Sequence, residues 1–147
     1  MIVKVNDSNI LIAAEIHARS WRDSHSAFCS ENFVKQHTTE RQKACLEKEM
    51  RSGKQVYMLV KDLPVGIVSI MDGLIENLYV LPDEQHKGYG TELLCFAISE
   101  CNEKPHLWVL NNNEKARMLY RKHGFYETGK IHSLSEQLSE LEMELKL

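Results

Sequence analysis

The sequence predicts an α+β domain: a mixed, mostly antiparallel sheet flanked by helices in an α/β/α-like layering. Three observations point there. The apolar period is helical over residues 10–50 and becomes two after Gly53. Asp72-Gly73 stands between two apolar runs as a hairpin signal. From Leu74 to Leu110 a strand, a glycine-bearing loop, a helix and a strand follow one another, the form of a parallel crossover.

Taken in order, Ile2 to Val5 alternates weakly and reads as a short strand. Asp7 and Ser8 are N-cap types ahead of a helix over Ile10 to Trp21, where Leu11, Ala14, Ala18 and Trp21 fall near one face. A polar break around Ser24 to Ser30 precedes a second helical stretch, Glu31 to Met50. Inside it Thr39-Glu40-Arg41-Gln42 has the form of a capping box, which allows two shorter helices, and Gly53 stops it. Val56, Met58 and Val60 then alternate with Tyr57, Leu59 and Lys61 as a strand, and Asp62-Leu63-Pro64 turns into a second, Val65 to Met71.

The third strand runs from Leu74 to Leu81. Period two sets Glu76, Leu78 and Val80 on one face and Ile75, Asn77 and Tyr79 on the other. Pro82 ends it, and a loop leads to a helix marked by Leu93, Leu94, Ala97, Ile98 and Cys101. Pro105 opens a strand over His106 to Leu110, Asn111-Asn112-Asn113 breaks it, and Ala116, Leu119, Tyr120 and His123 trace a helix closed by Gly124. Phe125 to Ile131 reads as a strand. At the end, Leu141, Met143, Leu145 and Leu147 alternate with Glu140, Glu142, Glu144 and Lys146, which favours a half-buried strand, although Leu134, Leu138, Leu141 and Leu145 also satisfy helical spacing. The predicted order is β-α-α-β-β-β-α-β-α-β-β, in one domain over residues 1–147.

Composition narrows the function classes. At 147 residues the chain has the size of one domain and can bury roughly 68–70% of its unfolded surface. Hydrophobic residues at 43% and charged residues at 27% exclude disorder as the main state. A net charge of -3 gives no basic footprint for nucleic acid. The apolar runs are too short to span a membrane, and Met1-Ile2-Val3-Lys4 passes directly into Asn6-Asp7-Ser8, so a cytoplasmic protein is expected. Cys29, Cys45, Cys95 and Cys101 form no CxxC pair, and Glu15, His17 and His25 make no HExxH. No metal site is expected, and the thiols read as reduced and largely buried, Cys95 and Cys101 on the core side of their helix. The Glu-rich tail, Glu136 to Glu144, reads as the solvated face of the last strand.

The segment with chemical content is Gln85-His86-Lys87-Gly88-Tyr89-Gly90-Thr91, between a strand and a helix. Two glycines allow close backbone approach, and the free N–H groups of the following helix favour an anion, above all a pyrophosphate. Neither a GxxxxGK[ST] nor a GxGxxG pattern is present. By itself the loop is either an anion cradle or a tight turn.

Its context decides further. Val80-Leu81-Pro82, the Gln85-x-x-Gly88-x-Gly90 loop and Leu93-Leu94 resemble the acyl-CoA signature of the GNAT family of N-acetyltransferases. Asn113-x-x-Ala116-x-x-x-Tyr120-x-x-x-Gly124-Phe125 is similar to the family's second motif, and Ser20-Trp21-Arg22 resembles a variant of its acceptor-side region. The two core motifs cover roughly Leu74 to Gly129.

The resemblance implies acetyl-CoA as cosubstrate, without a metal. It places the pyrophosphate on the amides of Lys87, Gly88, Tyr89, Gly90 and Thr91, with Gln85 and His86 at the loop's entrance. It implies main-chain contacts of Leu78 and Val80 with the pantetheine arm, and the Leu78 N–H as donor to the acetyl carbonyl, where negative charge builds as an amine attacks. Asn113 and Ala116 are placed along the coenzyme. An amine near pKa ~10 must lose a proton, and Glu76 is the candidate base because strand alternation gives it the face of Leu78; the other reading is a solvated strand glutamate. Tyr120 stands where the family puts a general acid for the leaving thiolate, or is a packed aromatic. Trp21 and Phe28 either wall the acceptor pocket or belong to the core. The implied reaction is acetyl transfer to a primary amine of a small molecule or protein by direct attack in a ternary complex. The alternative is a catalytically silent acyl-CoA sensor or a dimerising module on the same fold.

Overall fold

The computed structural model describes residues 1–146; Leu147, the last residue of the predicted terminal alternation, lies outside the described residues. The elements are β1 (Ile2–Lys4), α1 (Ile10–His25), α2 (Glu31–Lys35), α3 (Thr39–Arg51), β2 (Gln55–Val60), β3 (Pro64–Met71), β4 (Leu74–Val80), α4 (Tyr89–Glu100), β5 (His106–Leu110), α5 (Glu114–Lys122), β6 (Phe125–Ser133) and β7 (Ser139–Leu145). The predicted order holds, with the second helical stretch divided in two. One sheet runs β1-β2-β3-β4-β5-β7-β6, antiparallel throughout except between β4 and β5.

Helices cover both faces. On one, Ala13, Ala14 and Ile16 of α1 and Leu46 of α3 pack on Val56, Met58 and Ile67. On the other, Leu93, Leu94 and Ala97 of α4 and Tyr120 of α5 pack on Leu59, Val68, Ile70, Ile75, Leu107, Val109 and Met143. Alternation along β1 to β4 divides their residues between these two cores, whereas β5, β6 and β7 contribute only to the second.

Several local expectations are corrected. In α1 the N-cap is Asn9, whose Oδ1 accepts the Asn6 N–H at 2.8 Å rather than a helix amide. Leu11 is exposed, because the buried face runs through Ile10, Ala13, Ala14 and His17. The cap of α3 is Thr38, not Thr39: its hydroxyl accepts from the Arg41 N–H at 3.2 Å, so the position three residues on holds Arg41 and no capping box forms. No cysteine is buried; Cys45 and Cys95 are exposed, Cys29 and Cys101 half-buried. The glutamate face of β7 is only partly solvated: Glu140 and Glu144 are half-buried beside the flanking strands β5 and β6. Glu142 is buried there and accepts the Thr128 hydroxyl at 2.7 Å.

Two departures from a regular ladder give the middle of the sheet its shape. First, β4 and β5 share a single register pair, Leu74 with His106, and diverge beyond it. The shared end is fixed by the Asp72-Gly73 hairpin: the His106 N–H donates to the Gly73 carbonyl at 2.8 Å, and a Cβ at Gly73 would run into the Lys104 carbonyl. The second departure is a bulge. Ile67 pairs with Tyr79 and Ser69 with Glu76, so β3 advances two residues while β4 advances three, and Asn77, at φ 53, takes up the extra length.

Candidate active site

The bulge reverses the side-chain alternation of β4 halfway along. Leu78 and Val80 join Ile75 on the α4/α5 face. Glu76, across from Ser69, shares the opposite face with Tyr79, toward α1 and α3. The strict period-two reading, which gave Glu76 the face of Leu78 and Val80, is therefore wrong. There Glu76 Oε1 accepts from Lys54 Nζ at 2.5 Å, and the same ammonium lies 3.3 Å from Glu49. Burial works against the Lys54 charge, but its bond to Glu76 and the charges of Glu76 and Glu49 outweigh that and raise its pKa.

The gap between β4 and β5 opens, at the C-terminal end of β4, toward the glycine loop. Gln85 Nε2 donates to the Val80 carbonyl at 3.2 Å, folding the loop onto the strand end. His86 and Gly88 lie in the left-handed region, at φ 66 and φ 84. Gly88 is the N-cap of α4 and offers no side-chain oxygen, so the first amides of the helix, at Tyr89, Gly90 and Thr91, have no side-chain cap. A Cβ at Gly90 would meet only Leu119 Cδ2 at 3.8 Å, an ordinary contact. Nothing in the protein's own packing requires glycine there, which leaves room for a group approaching from outside. Lysines flank the loop: Lys115 Nζ donates to His86 Nε2 at 3.2 Å, Lys61 lies 5.2 Å over the Tyr89 ring and pairs with Glu92 at 2.8 Å, and Lys87 pairs with Glu84 at 2.9 Å. Uncapped helix amides, a glycine with open space and flanking lysines suit a phosphate.

From the second motif, Asn113 caps α5 by accepting the Ala116 N–H at 3.2 Å, and Ala116 is half-buried against the α4/α5 core. Tyr120 is buried at the end of the same face, edge-on to Phe125. Burial first, then the nearby Tyr79 phenol, raises the Tyr120 pKa well beyond the ordinary phenol range. Tyr79 itself is pushed up to about 12 by burial. Both phenols stay protonated near neutral pH.

Trp21 and Phe28 lie apart from these groups, at the end of α1. Trp21 is half-buried between the rings of His25 and His37, with centroids at 3.9 Å and 3.5 Å, and Phe28, against His25, is 40% exposed. The cluster is a partly exposed aromatic stack outside both cores. The positions that sequence reasoning missed are Asn77 and His17. The one local signal was an asparagine in the middle of a strand run, a residue type depleted in strands and tolerant of positive φ. Among the described residues no group of side chains is arranged to hold a metal ion, and no helix is long and apolar enough to cross a membrane.

Comparison with known proteins agrees with this arrangement. Residues 52–127 match the model of the acetyltransferase (GNAT) domain. No curated protein sequence matches the chain at a significant level. Among solved structures, the PaiA N-acetyltransferase of Thermoplasma acidophilum, in complex with coenzyme A, is 20% identical with TM-score 0.74, over 100% of this chain and 98% of that one. A ribosomal-protein-alanine N-acetyltransferase from Brucella melitensis is 20% identical with TM-score 0.74, covering 100% and 99%. YncA from Salmonella typhimurium, with its cofactor acetyl-CoA, is 19% identical with TM-score 0.71, covering 100% and 93%. With the matched region spanning both the glycine loop and the Tyr120 helix, the chain belongs to the GNAT acetyltransferase domain family.

Proposed function

We propose that the protein is an acetyl-CoA-dependent N-acetyltransferase acting on a primary amine of a small molecule or peptide. The observation that carries this is the β4–β5 gap opening onto Gly88 and Gly90 at the uncapped start of α4. On this reading the amides of Lys87 to Thr91 hold the pyrophosphate, with Gln85, His86 and Lys115 shaping the rim. Main-chain groups of Leu78 and Val80 line the pantetheine arm, and Asn113 and Ala116 border it from α5.

Bound acetyl-CoA supplies a thioester carbonyl carbon, where a C–N bond to the amine forms as the C–S bond breaks. The Leu78 N–H donates to the carbonyl oxygen as charge builds on it. Tyr120, protonated in its buried site, gives its proton to the sulfur as the C–S bond breaks, and solvent returns a proton to the phenolate once the thiol has left. Glu76 acts as the ion-pair partner of Lys54 rather than as the base, and the amine's proton leaves to water. Trp21 and Phe28 wall the acceptor side, which their incomplete burial supports.

The test is calorimetric titration with acetyl-CoA, followed by thiol release across a panel of amines. Binding with turnover supports the enzyme. Binding without turnover on any amine supports a silent acyl-CoA sensor, and no binding ends the proposal.

A further inference from the structure

The bulge of β4 is held from two sides. Asn77 Nδ2 donates to Ser69 Oγ of β3 at 3.2 Å, and His17 Nε2 of α1 lies 3.3 Å from Asn77 Oδ1. An amide oxygen can only accept, so His17 carries its proton on Nε2 and leaves Nδ1 bare. That Nδ1 is buried without a partner. Ser69 is fully buried, His17 is 7% exposed, and the Tyr79 ring packs edge-on to His17 at 5.0 Å. The three side chains therefore form a closed clamp, joining α1, β3 and β4 at one residue.

That residue is the one whose backbone sets the register. Asn77 and Leu78 together stand opposite Val68, and Asn77 alone is left-handed. Moving the bulge by one position would send Leu78 to the other face of the sheet. The backbone conformation alone does not select the place, since glycine would adopt it more readily. The clamp supplies what glycine lacks, a side chain tied to two neighbouring elements.

We propose that Asn77 is a positioning residue: held by Ser69 and His17, it fixes the β4 bulge and thereby aims the Leu78 N–H into the β4–β5 gap at the acyl carbonyl. This rests on the reading that acetyl-CoA binds in that gap. His17 stands one helical turn before Trp21 on α1, so the clamp hangs from the helix that carries the aromatic stack.

The decisive variants are Asn77→Gly, which keeps the positive φ and removes both side-chain bonds, and Asn77→Asp, which keeps an oxygen for His17 and another for the Ser69 hydroxyl. The readout is the infrared carbonyl stretch of acetyl-CoA labelled with carbon-13 at the thioester, with affinities for coenzyme A and acetyl-CoA measured by calorimetry. The wild-type protein should lower the stretch relative to free acetyl-CoA. Asn77→Gly should lose that downshift while binding coenzyme A within twofold of wild type, and Asn77→Asp should restore most of it. A downshift unchanged in Asn77→Gly overturns the positioning role, as does a wild-type complex with no downshift; in both cases the binding reading stands. Failure of the wild-type protein to bind acetyl-CoA overturns both.

Discussion

The Lys54 ammonium stands 2.5 Å from the Glu76 carboxylate, on the sheet face turned away from Leu78 and Val80. A carboxylate so placed is engaged as an anion by a cation that also serves Glu49. Glu76→Gln should therefore keep turnover within a few-fold of wild type across the pH range. It should cost at most about 1 kcal/mol of stability, because Glu76 is 39% exposed and water screens the pair. A rate loss on the order of 10²-fold or more that eases at high pH would restore Glu76 as the base.

Gly90→Val tests the phosphate cradle without straining the backbone, since Gly90 has no positive φ and its Cβ position is open apart from Leu119. Coenzyme A binding should disappear while the melting temperature stays near wild type. Gly88→Val is the less clean change, because φ 84 is costly for a β-branched residue whatever binds there. Unchanged calorimetric affinity in Gly90→Val would reduce the loop to a turn.

Tyr120→Phe keeps the ring packed against Phe125 and removes only the hydroxyl. Turnover should fall on the order of 10²-fold, the low end for a general acid, because a thiolate of pKa ~8.5 leaves with little help. Coenzyme affinity should hold. Because burial and Tyr79 keep Tyr120 protonated beyond the ordinary phenol range, the wild-type pH–rate profile should show no loss of this acid up to about pH 10. Turnover equal to wild type, with chemistry rate-limiting, would return Tyr120 to a packing role.

His17 makes stability sensitive to acid. Burial above all, with the charges of His37 and His25, outweighs the Asn77 hydrogen bond and pushes its pKa down to about 4. The unfolded chain takes up this proton near pH 6.5 and the folded protein does not. The contribution is thus fully present above pH 6.5 and lost as pH falls from there toward 4, a change of about 3 kcal/mol. Urea unfolding at pH 7.5 and pH 5 should show the drop, and His17→Gln should flatten it. Equal slopes in the two proteins would mean His17 titrates normally.

What the sequence disclosed was local. Asp72-Gly73 and Gly88 declare themselves because a turn or a helix start constrains the residues that form it. The Asn113 to Gly124 helix is readable for the same reason. The strand positions went wrong where a distant partner decides. Nothing near Glu142 announces that β7 inserts between β5 and β6 and that this glutamate is buried there. The reversal at Glu76 depends on Asn77 meeting Ser69 and His17, eight and sixty residues away. Period-two counting assumes an unbroken ladder, and one extra residue inverts all that lies beyond it. The helix surfaces misread at Leu11 and Cys95 turn on which flank of an amphipathic stripe a neighbouring element covers.

The lone Leu74–His106 pair also divides the domain mechanically. The ladder β1-β2-β3-β4 and the ladder β5-β7-β6 are each continuous, and one residue pair is all that joins them along the sheet. Their cooperativity rests instead on side chains, chiefly α4, which packs on β3 and β4 and leads into β5. Such a seam lets the two halves open separately, so amides of β5 and β7 should exchange hydrogen at a lower free energy of opening than those of β2 and β3. A ligand that fills the seam and bonds to the edge of β4 would weld the halves into one unit. Protection would then rise on both sides of the gap, far beyond the residues it touches.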